Sequence, residues 1–234
     1  MPKNVCAIIA AAGKGERLPG GVAKQFRVMG GVPLLVWSLK AFAAVKDVKR
    51  IVIGTAPGEV QAATDMVKGI LPDGMAGVVA GGRERQETVK LCLDAVPPDA
   101  ELVVIHDAAR PFVTPDLIRR TIKTAAARGA ATAAVRPSDT VKFEHATRGV
   151  KENLDRERLW LIQTPQAFRK DLLVKAHEAA AAQGFIGTDD TALVERMGGS
   201  VEIVRGSELN LKITTEADWM IAEALVQAGK VKPL

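Results

Sequence analysis

Residues 5–18 read Val5-Cys6-Ala7-Ile8-Ile9-Ala10-Ala11-Ala12-Gly13-Lys14-Gly15-Glu16-Arg17-Leu18, and the segment closes at Lys24-Gln25-Phe26. The apolar run Val5 to Ile9 has the length and composition of a short buried strand. Behind it, alanine and glycine leave little side chain in the way, so backbone N–H groups can close around an anion. Lys14, Arg17 and Lys24 add positive charge at the same place. The stretch predicts a phosphate cradle at a strand end, with an ordinary turn carrying solvated charges as the alternative. Two phosphate loops are excluded. A Rossmann fingerprint needs glycine where Leu18 stands and an acid near the end of the second strand, where Gly54-Thr55 occurs. A P-loop needs Gly-Lys followed by Ser or Thr, which Gly20-Gly21-Val22 does not supply.

Outward from this loop, strands and helices alternate. Residues 33–42 have proline at a helix start and apolar residues at helical spacing. Strands are predicted at 50–54, 77–80 and 102–105, with helices over 58–68 and 84–95, the latter offering Val89, Leu91, Leu93 and Val96 to the core. Thr114-Pro115-Asp116 starts a further helix, with Thr at the cap and Pro in the first turn. After residue 158 the pattern resumes with a strand at 159–162, helices over 169–182 and 189–197, and a strand at 201–204. Asn210-Leu211-Lys212-Ile213-Thr214 follows, before a last amphipathic helix opened by Thr215-Glu216-Ala217-Asp218. The expected fold is α/β: a mostly parallel, open twisted sheet with helices on both faces. Residues 138–158 differ in character. They read as two short strands about a polar turn, too polar for a core of their own, and must lie on another surface. One domain over 1–234 with a projecting β-arm at 138–158 is the expected organisation.

The chain has 234 residues, 47% hydrophobic and 25% charged, ample for a core and a soluble surface. A net charge of +5 permits nucleic-acid binding, but aromatics are scarce and tyrosine is absent, which argues against base stacking. No apolar run reaches the roughly 18 residues of a membrane span. Met1-Pro2-Lys3-Asn4 leads straight into the first strand, so no signal peptide is expected. Cys6 and Cys92 read as reduced core residues of a cytoplasmic protein. Three histidines without a Cys/His cluster make a zinc site improbable.

In open parallel sheets, ligands sit at the carboxyl ends of strands, and the chemically suggestive residues fall there. Gly13 to Lys24 follows the first strand, Gly81-Gly82 the third, and Asp107 with Arg110 the fourth. Asp107 reads either as a magnesium contact, since magnesium takes one or two carboxylates plus phosphate oxygens, or as a helix cap or partner of Arg110. Lys212, between Leu211 and Ile213, is either a site cation or a snorkelling surface lysine. Arg83 and Arg85 belong to the site rim or to a solvated helix start. His106 reads as a structural hydrogen-bonding group, and no hydrolase triad is present. Cations around developing charge, a metal and an in-line nucleophile are what phosphoryl-type transfer requires, so nucleotidyl transfer is the chemistry this inventory suggests.

Six segments, in chain order and spanning nearly the whole length, resemble the 2-C-methyl-D-erythritol 4-phosphate cytidylyltransferase family. They are Ala10 to Arg17 with Lys24-Gln25-Phe26, Gly81 to Val89, Val104-Ile105-His106-Asp107-Ala108-Ala109-Arg110-Pro111, Thr164-Pro165-Gln166-Ala167-Phe168, Thr188-Asp189-Asp190, and Asn210 to Thr214. The resemblance implies a cytoplasmic, homodimeric, Mg2+-dependent enzyme of non-mevalonate isoprenoid synthesis. Such an enzyme joins CTP to 2-C-methyl-D-erythritol 4-phosphate, releases pyrophosphate, and engages neither nucleic acid nor membrane. A pentitol-phosphate cytidylyltransferase of the ribitol 5-phosphate type is the alternative.

By position, the resemblance implies Arg17 and Lys24 as stabilisers of the transition state at the α-phosphate, and Lys212 and Arg156 as holders of the sugar phosphate. It assigns Ala11, Ala12, Gly13, Gly15, Gly82, Arg83 and Thr88 to the nucleotide. Asp107, Arg110, Thr140, Thr164 and Thr188 fall on the acceptor side, with Asp107 also the candidate metal contact, directly or through water. Arg156 and Thr140 lie on the arm, which in the family crosses to the partner subunit. Ala23 departs from the family's usual proline, Leu209 is apolar where some relatives carry an acid, and the chain is too short for the cyclodiphosphate synthase domain fused to some relatives.

Overall fold

The computed structural model describes residues 4–13, 22–144 and 149–234. In chain order the strands and helices are β1 (Val5–Ala11), β2 (Val28–Met29), β3 (Val32–Pro33), α1 (Leu34–Ala43), β4 (Val48–Thr55), α2 (Val60–Lys68), β5 (Ala76–Ala80), α3 (Arg85–Asp94), β6 (Leu102–Asp107), α4 (Pro115–Arg128) and β7 (Ala130–Val135). There follow β8 (Lys142–Glu144), β9 (Val150–Asn153), β10 (Leu161–Arg169), α5 (Lys170–Ala182), α6 (Asp190–Arg196), β11 (Glu202–Arg205) and α7 (Glu216–Gln227). Lys24–Phe26 forms a short 3-10 turn.

Seven strands make the main sheet in the order β11-β7-β10-β6-β1-β4-β5. All neighbouring pairs are parallel except those of β10, which runs antiparallel to both β6 and β7. Alternate residues of β1 feed opposite layers, as the two-residue period of a strand requires. Val5, Ala7 and Ile9 join the core beneath α1, α2 and α4, with Leu39, Phe42, Val67 and Ile118. Cys6 and Ile8 join the other, with Val89 and Cys92 of α3, Leu173 of α5 and Leu193 of α6. A smaller apolar cluster (Met29, Trp37, Phe112, Ile213, Trp219) packs α7 against the β2–β3 hairpin and α1.

The alternating α/β reading holds, with instructive exceptions. β7 escapes a reading based on bulky apolar runs because Ala130-Ala131-Thr132-Ala133-Ala134-Val135 is nearly all alanine, yet every residue in it is buried. Small side chains suit a strand covered on both faces. Leu91 is 40% exposed, and Cys92 takes the core position expected of it. The strand expected at 159–162 begins at Leu161 and continues to Arg169, carrying Thr164-Pro165-Gln166 inside it. Its register against β7 is irregular between Ile162 and Gln166, a bulge of the kind that re-aims side chains beside a site. On the 138–158 segment, β8 and β9 pair antiparallel and expose Phe143 and Val150. The expected turn of this arm falls on 145–148, outside the described residues.

Candidate active site

The carboxyl ends of β1, β5 and β6 converge on a cleft of about 230 Å³. The glycines after β5 are there for close approach. A Cβ on Gly81 would lie 2.7 Å from the Ala12 Cβ and 2.8 Å from Thr88 Oγ1. The first turns of α3 hold the loop in place: the Gly82 N–H donates to Thr88 Oγ1 at 3.1 Å and the Arg83 N–H to Glu87 Oε2 at 2.8 Å. Ala11, Ala12, Gly13, Gly82, Arg83 and Thr88, six of the expected nucleotide residues, all line this cleft. Gly15 and Arg17, with Lys14, lie outside the described residues. Lys24 also lines the cleft, and its Nζ donates to the Ile213 carbonyl at 2.8 Å. The neighbouring Gln25 donates to Glu59, whose carboxylate also accepts from Thr55 Oγ1 at the end of β4. The turn carrying Lys24 is thus tied to both the sheet and the 210–214 segment.

A second cavity of about 220 Å³ opens where β10 begins, and Asp107, Arg110, Thr164 and Thr188 line it, as expected of the acceptor side. Thr140 and Arg156 line neither cavity of this chain. The Arg156 side chain is 56% exposed, donating to the Ser138 carbonyl at 3.3 Å and lying 3.7 Å from Glu157.

Three residues, Arg85, Asp107 and Lys212, line both cavities and form the wall between them. Asp107 Oδ1 accepts from Arg85 Nε at 2.9 Å and its Oδ2 from Lys212 Nζ at 2.7 Å. Burial opposes the charge on Asp107, but the Arg85 guanidinium and Lys212 ammonium outweigh it and hold the carboxyl well below the usual carboxylate range. Lys212 is accordingly a site cation. Arg110 does not pair with the Asp107 carboxylate through its guanidinium, although its N–H donates to the Asp107 carbonyl at 2.9 Å. Its guanidinium donates to the carbonyls of Asn210 at 2.9 Å and Ile162 at 3.4 Å, making it a strut between β10 and the Lys212 segment. Burial lowers its pKa, and Nε is buried without a hydrogen-bond partner among the described residues.

Beneath this wall the polar groups form a chain of fixed sense. The Asp107 N–H donates to Thr164 Oγ1 at 3.1 Å, and Thr164 Oγ1 lies 2.9 Å from His106 Nδ1. His106 Nε2 lies 3.0 Å from the Arg110 carbonyl, which can only accept, so Nε2 carries the proton and Nδ1 accepts from the threonine hydroxyl. Burial pushes the His106 pKa down to about 4, so the ring is neutral at neutral pH. His106 is the structural group its sequence setting suggests, and Thr164 positions Asp107 as well as lining the second cavity.

Arg85 is the site residue that the sequence leaves least marked. It opens α3, and its partner Asp190 stands 105 residues later, a pairing that no local pattern announces. As for a metal, the described residues contain no group of three or more His, Cys, Asp or Glu placed to hold one. Both oxygens of Asp107 are already engaged, so these residues do not fit a metal site built from protein ligands alone.

The sequence profile described as 2-C-methyl-D-erythritol 4-phosphate cytidylyltransferase matches residues 5–228. The chain is 43% identical over 226 residues to the protein of that name from Pelotomaculum thermopropionicum, covering 96% of this chain and 95% of the relative. It is 40% identical over 225 residues to that of Caldanaerobacter subterraneus, covering 96% and 99%. Among solved structures, 4-diphosphocytidyl-2C-methyl-D-erythritol synthase of Anaerococcus prevotii superposes with a TM-score of 0.87 at 32% identity, covering 96% of each chain. The cytidylyltransferase of Thermus thermophilus superposes at 0.78 and 33%, covering 97% and 100%. With its sheet order, its paired cavities and these likenesses in agreement, the chain belongs to the 2-C-methyl-D-erythritol 4-phosphate cytidylyltransferase family.

Proposed function

We propose that the protein transfers the cytidylyl group of CTP to 2-C-methyl-D-erythritol 4-phosphate, giving 4-diphosphocytidyl-2-C-methyl-D-erythritol and pyrophosphate in isoprenoid biosynthesis. The observation that carries this reading is the pair of cavities sharing the wall of Arg85, Asp107 and Lys212. A donor nucleotide on the glycine-loop side and an acceptor phosphate on the Thr164 side meet at the Lys212 ammonium. One acceptor phosphate oxygen attacks the α-phosphorus, a P–O bond forms, and the bond to the β-phosphate bridging oxygen breaks in line. A phosphate monoester is already anionic near neutral pH, so the attack requires no general base. What the protein supplies is position and charge: Lys24 and Lys212 face oxygens that gain charge as the reaction proceeds, and the family resemblance adds Arg17 to them.

Magnesium, when bound with the nucleotide, would neutralise triphosphate charge, with Asp107 the nearest candidate contact through water. The acceptor cavity holds polar groups suited to a polyol phosphate. Arg110 Nε and Gln166 Oε1 are buried there without hydrogen-bond partners among the described residues. One nucleotidyltransferase domain with residues 138–158 as a dimerisation arm is the organisation that goes with this reading. Its support is that β8 and β9 expose Phe143 and Val150 while Arg156 and Thr140 lie away from their own cavities. In a homodimer those two residues reach the partner's acceptor side. Free, buried Cys6 and Cys92 accord with a reducing cytoplasm. No helix among the described residues is long and apolar enough to cross a membrane.

The test is direct: purified protein with CTP and magnesium, given each acceptor separately, with pyrophosphate release and product mass measured. Turnover with 2-C-methyl-D-erythritol 4-phosphate is expected. Release only with ribitol 5-phosphate would assign the protein to the pentitol-phosphate enzymes instead.

A further inference from the structure

The wall between the two cavities does not end at Asp107. Arg85 reaches Asp107 with Nε and, on its other side, Asp190 Oδ2 with Nη1 at 2.7 Å. Asp190 Oδ1 in turn lies 3.2 Å from His177 Nε2. The result is a continuous line, His177–Asp190–Arg85–Asp107–Lys212, drawn from α5, α6, α3, β6 and the segment before α7. Asp190 and His177 have side chains only 1% and 2% exposed, and neither lines a cavity. Burying a carboxylate is expensive, and an apolar side chain of similar size holds α6 to α5 at least as well. Against that burial, the Arg85 guanidinium and, after it, the hydrogen bond from His177 hold the Asp190 carboxyl below the usual carboxylate range. The charge is therefore retained where it touches no ligand, and it bears on Arg85 alone among the residues of the dividing wall.

We propose that Arg85, backed by Asp190 and His177, is a positioning residue that fixes the Asp107 carboxylate and through it the Lys212 ammonium at the boundary of the two cavities. The planar guanidinium suits this task because it presents separate donors to two carboxylates at a fixed spacing, which a lysine ammonium does not do. The kinetic part of the proposal rests on the cytidylyltransferase reading; the geometric part does not.

The kinetic test compares Arg85→Ala, Asp190→Asn and the double variant with wild type. Arg85→Ala is expected to lower kcat by on the order of a hundredfold with the CTP KM within about threefold, the pattern of a group felt mainly in the transition state. Asp190→Asn should cost about tenfold alone but less than about twofold in the Arg85→Ala background, because both act through one group. Ethylguanidinium should restore Arg85→Ala saturably, and ethylammonium should not. A folded Arg85→Ala with wild-type kcat, or single effects that multiply in the double variant, would overturn the proposal. Should Arg85→Ala not fold, Arg85→Lys serves: it is expected to fold with kcat reduced by more than about tenfold, and wild-type turnover overturns the idea. Crystal structures of wild type and Asp190→Asn need no turnover. Displacement of Lys212 Nζ from Asp107 is expected in the variant, and an unchanged pair overturns the proposal even if the wild-type enzyme proves to use another acceptor. Wild type inactive with every acceptor, but with Lys212 displaced in Asp190→Asn, would instead count against the functional reading alone.

Discussion

The Nζ of Lys24 donates to the carbonyl of Ile213 at 2.8 Å, one residue beyond Lys212. Two cations that come from opposite ends of the chain are thereby set against the same cleft, and the 210–214 segment cannot shift without moving Lys24. Lys24→Ala removes both a cation of the cleft lining and this tie. Its kcat is expected to fall by on the order of a hundredfold or more, comparable to the loss of one preorganised transition-state donor. Steady-state pyrophosphate release checks this, and turnover within a factor of two of wild type would remove Lys24 from the catalytic set.

His106 links the fold to pH. Its folded pKa of about 4 lies below the ordinary value of 6.5, so the unfolded chain takes up a proton between these values and the folded one does not. The stability that this contributes is present above pH 6.5 and is lost as pH falls toward 4. Between pH 7 and pH 5 the loss amounts to about 2 kcal/mol. Urea denaturation at the two pH values should show it in wild type, and His106→Gln should flatten that dependence. An equally steep dependence in the variant would place the titrating group elsewhere.

Gly54 in β4 governs how closely α3 approaches the sheet. A Cβ there would lie 2.5 Å from Thr88 Cγ2 and 2.7 Å from Cys92 Sγ. Gly54→Ala must push α3 outward, at an overpacking cost of about 2 kcal/mol. Thr88 also holds the Gly82 N–H, so the CTP KM should rise together with the loss of stability. Urea melts and CTP saturation curves test the two effects side by side, and a neutral substitution on both counts would mean that α3 is not set by this contact.

The half of the site that was legible in the sequence is the half built from local patterns. Ala11 ends β1, and Ala12, Gly13, Gly82 and Lys24 come after strand ends, where open parallel sheets place their ligands, so position in the pattern marked them even though a plain turn read as well. Lys212 and Asp107 were each ambiguous alone, since a solitary cation or carboxylate reads equally well as surface or cap. Their pairing at 2.7 Å is a long-range fact. Arg110 shows the same limit in reverse: its motif marks it for the site, while the hydrogen bonds that occupy its guanidinium come from residues 52 and 100 positions away. In the fold, β7 was lost to alanine, whose methyl group gives no apolar signal but fits a strand covered on both faces.

The arm gives a prediction that needs no structure of the dimer. Arg156 lies away from both cavities of its own chain, so an Arg156→Ala subunit retains an intact Lys24 and a Lys24→Ala subunit retains an intact Arg156. Mixing the two inactive variants should restore activity in heterodimers, with one of the two sites in each heterodimer fully intact if each site draws one residue from each subunit. Verified subunit exchange without recovery would show that the site is not shared.

The reversed direction of β10 has a consequence for how such an enzyme diversifies. The chain leaves β7 and enters β10 on the same edge of the sheet, so residues 138–158 make a detour that needs no return crossing. The connections among β1, β4, β5 and β6 join parallel strands, each by a crossover that has to return over a face of the sheet. Added length at 138–158 therefore asks nothing of the sheet's register, whereas every crossover must still make that return. A lineage can lengthen or shorten this segment while the parallel half of the sheet stays in register.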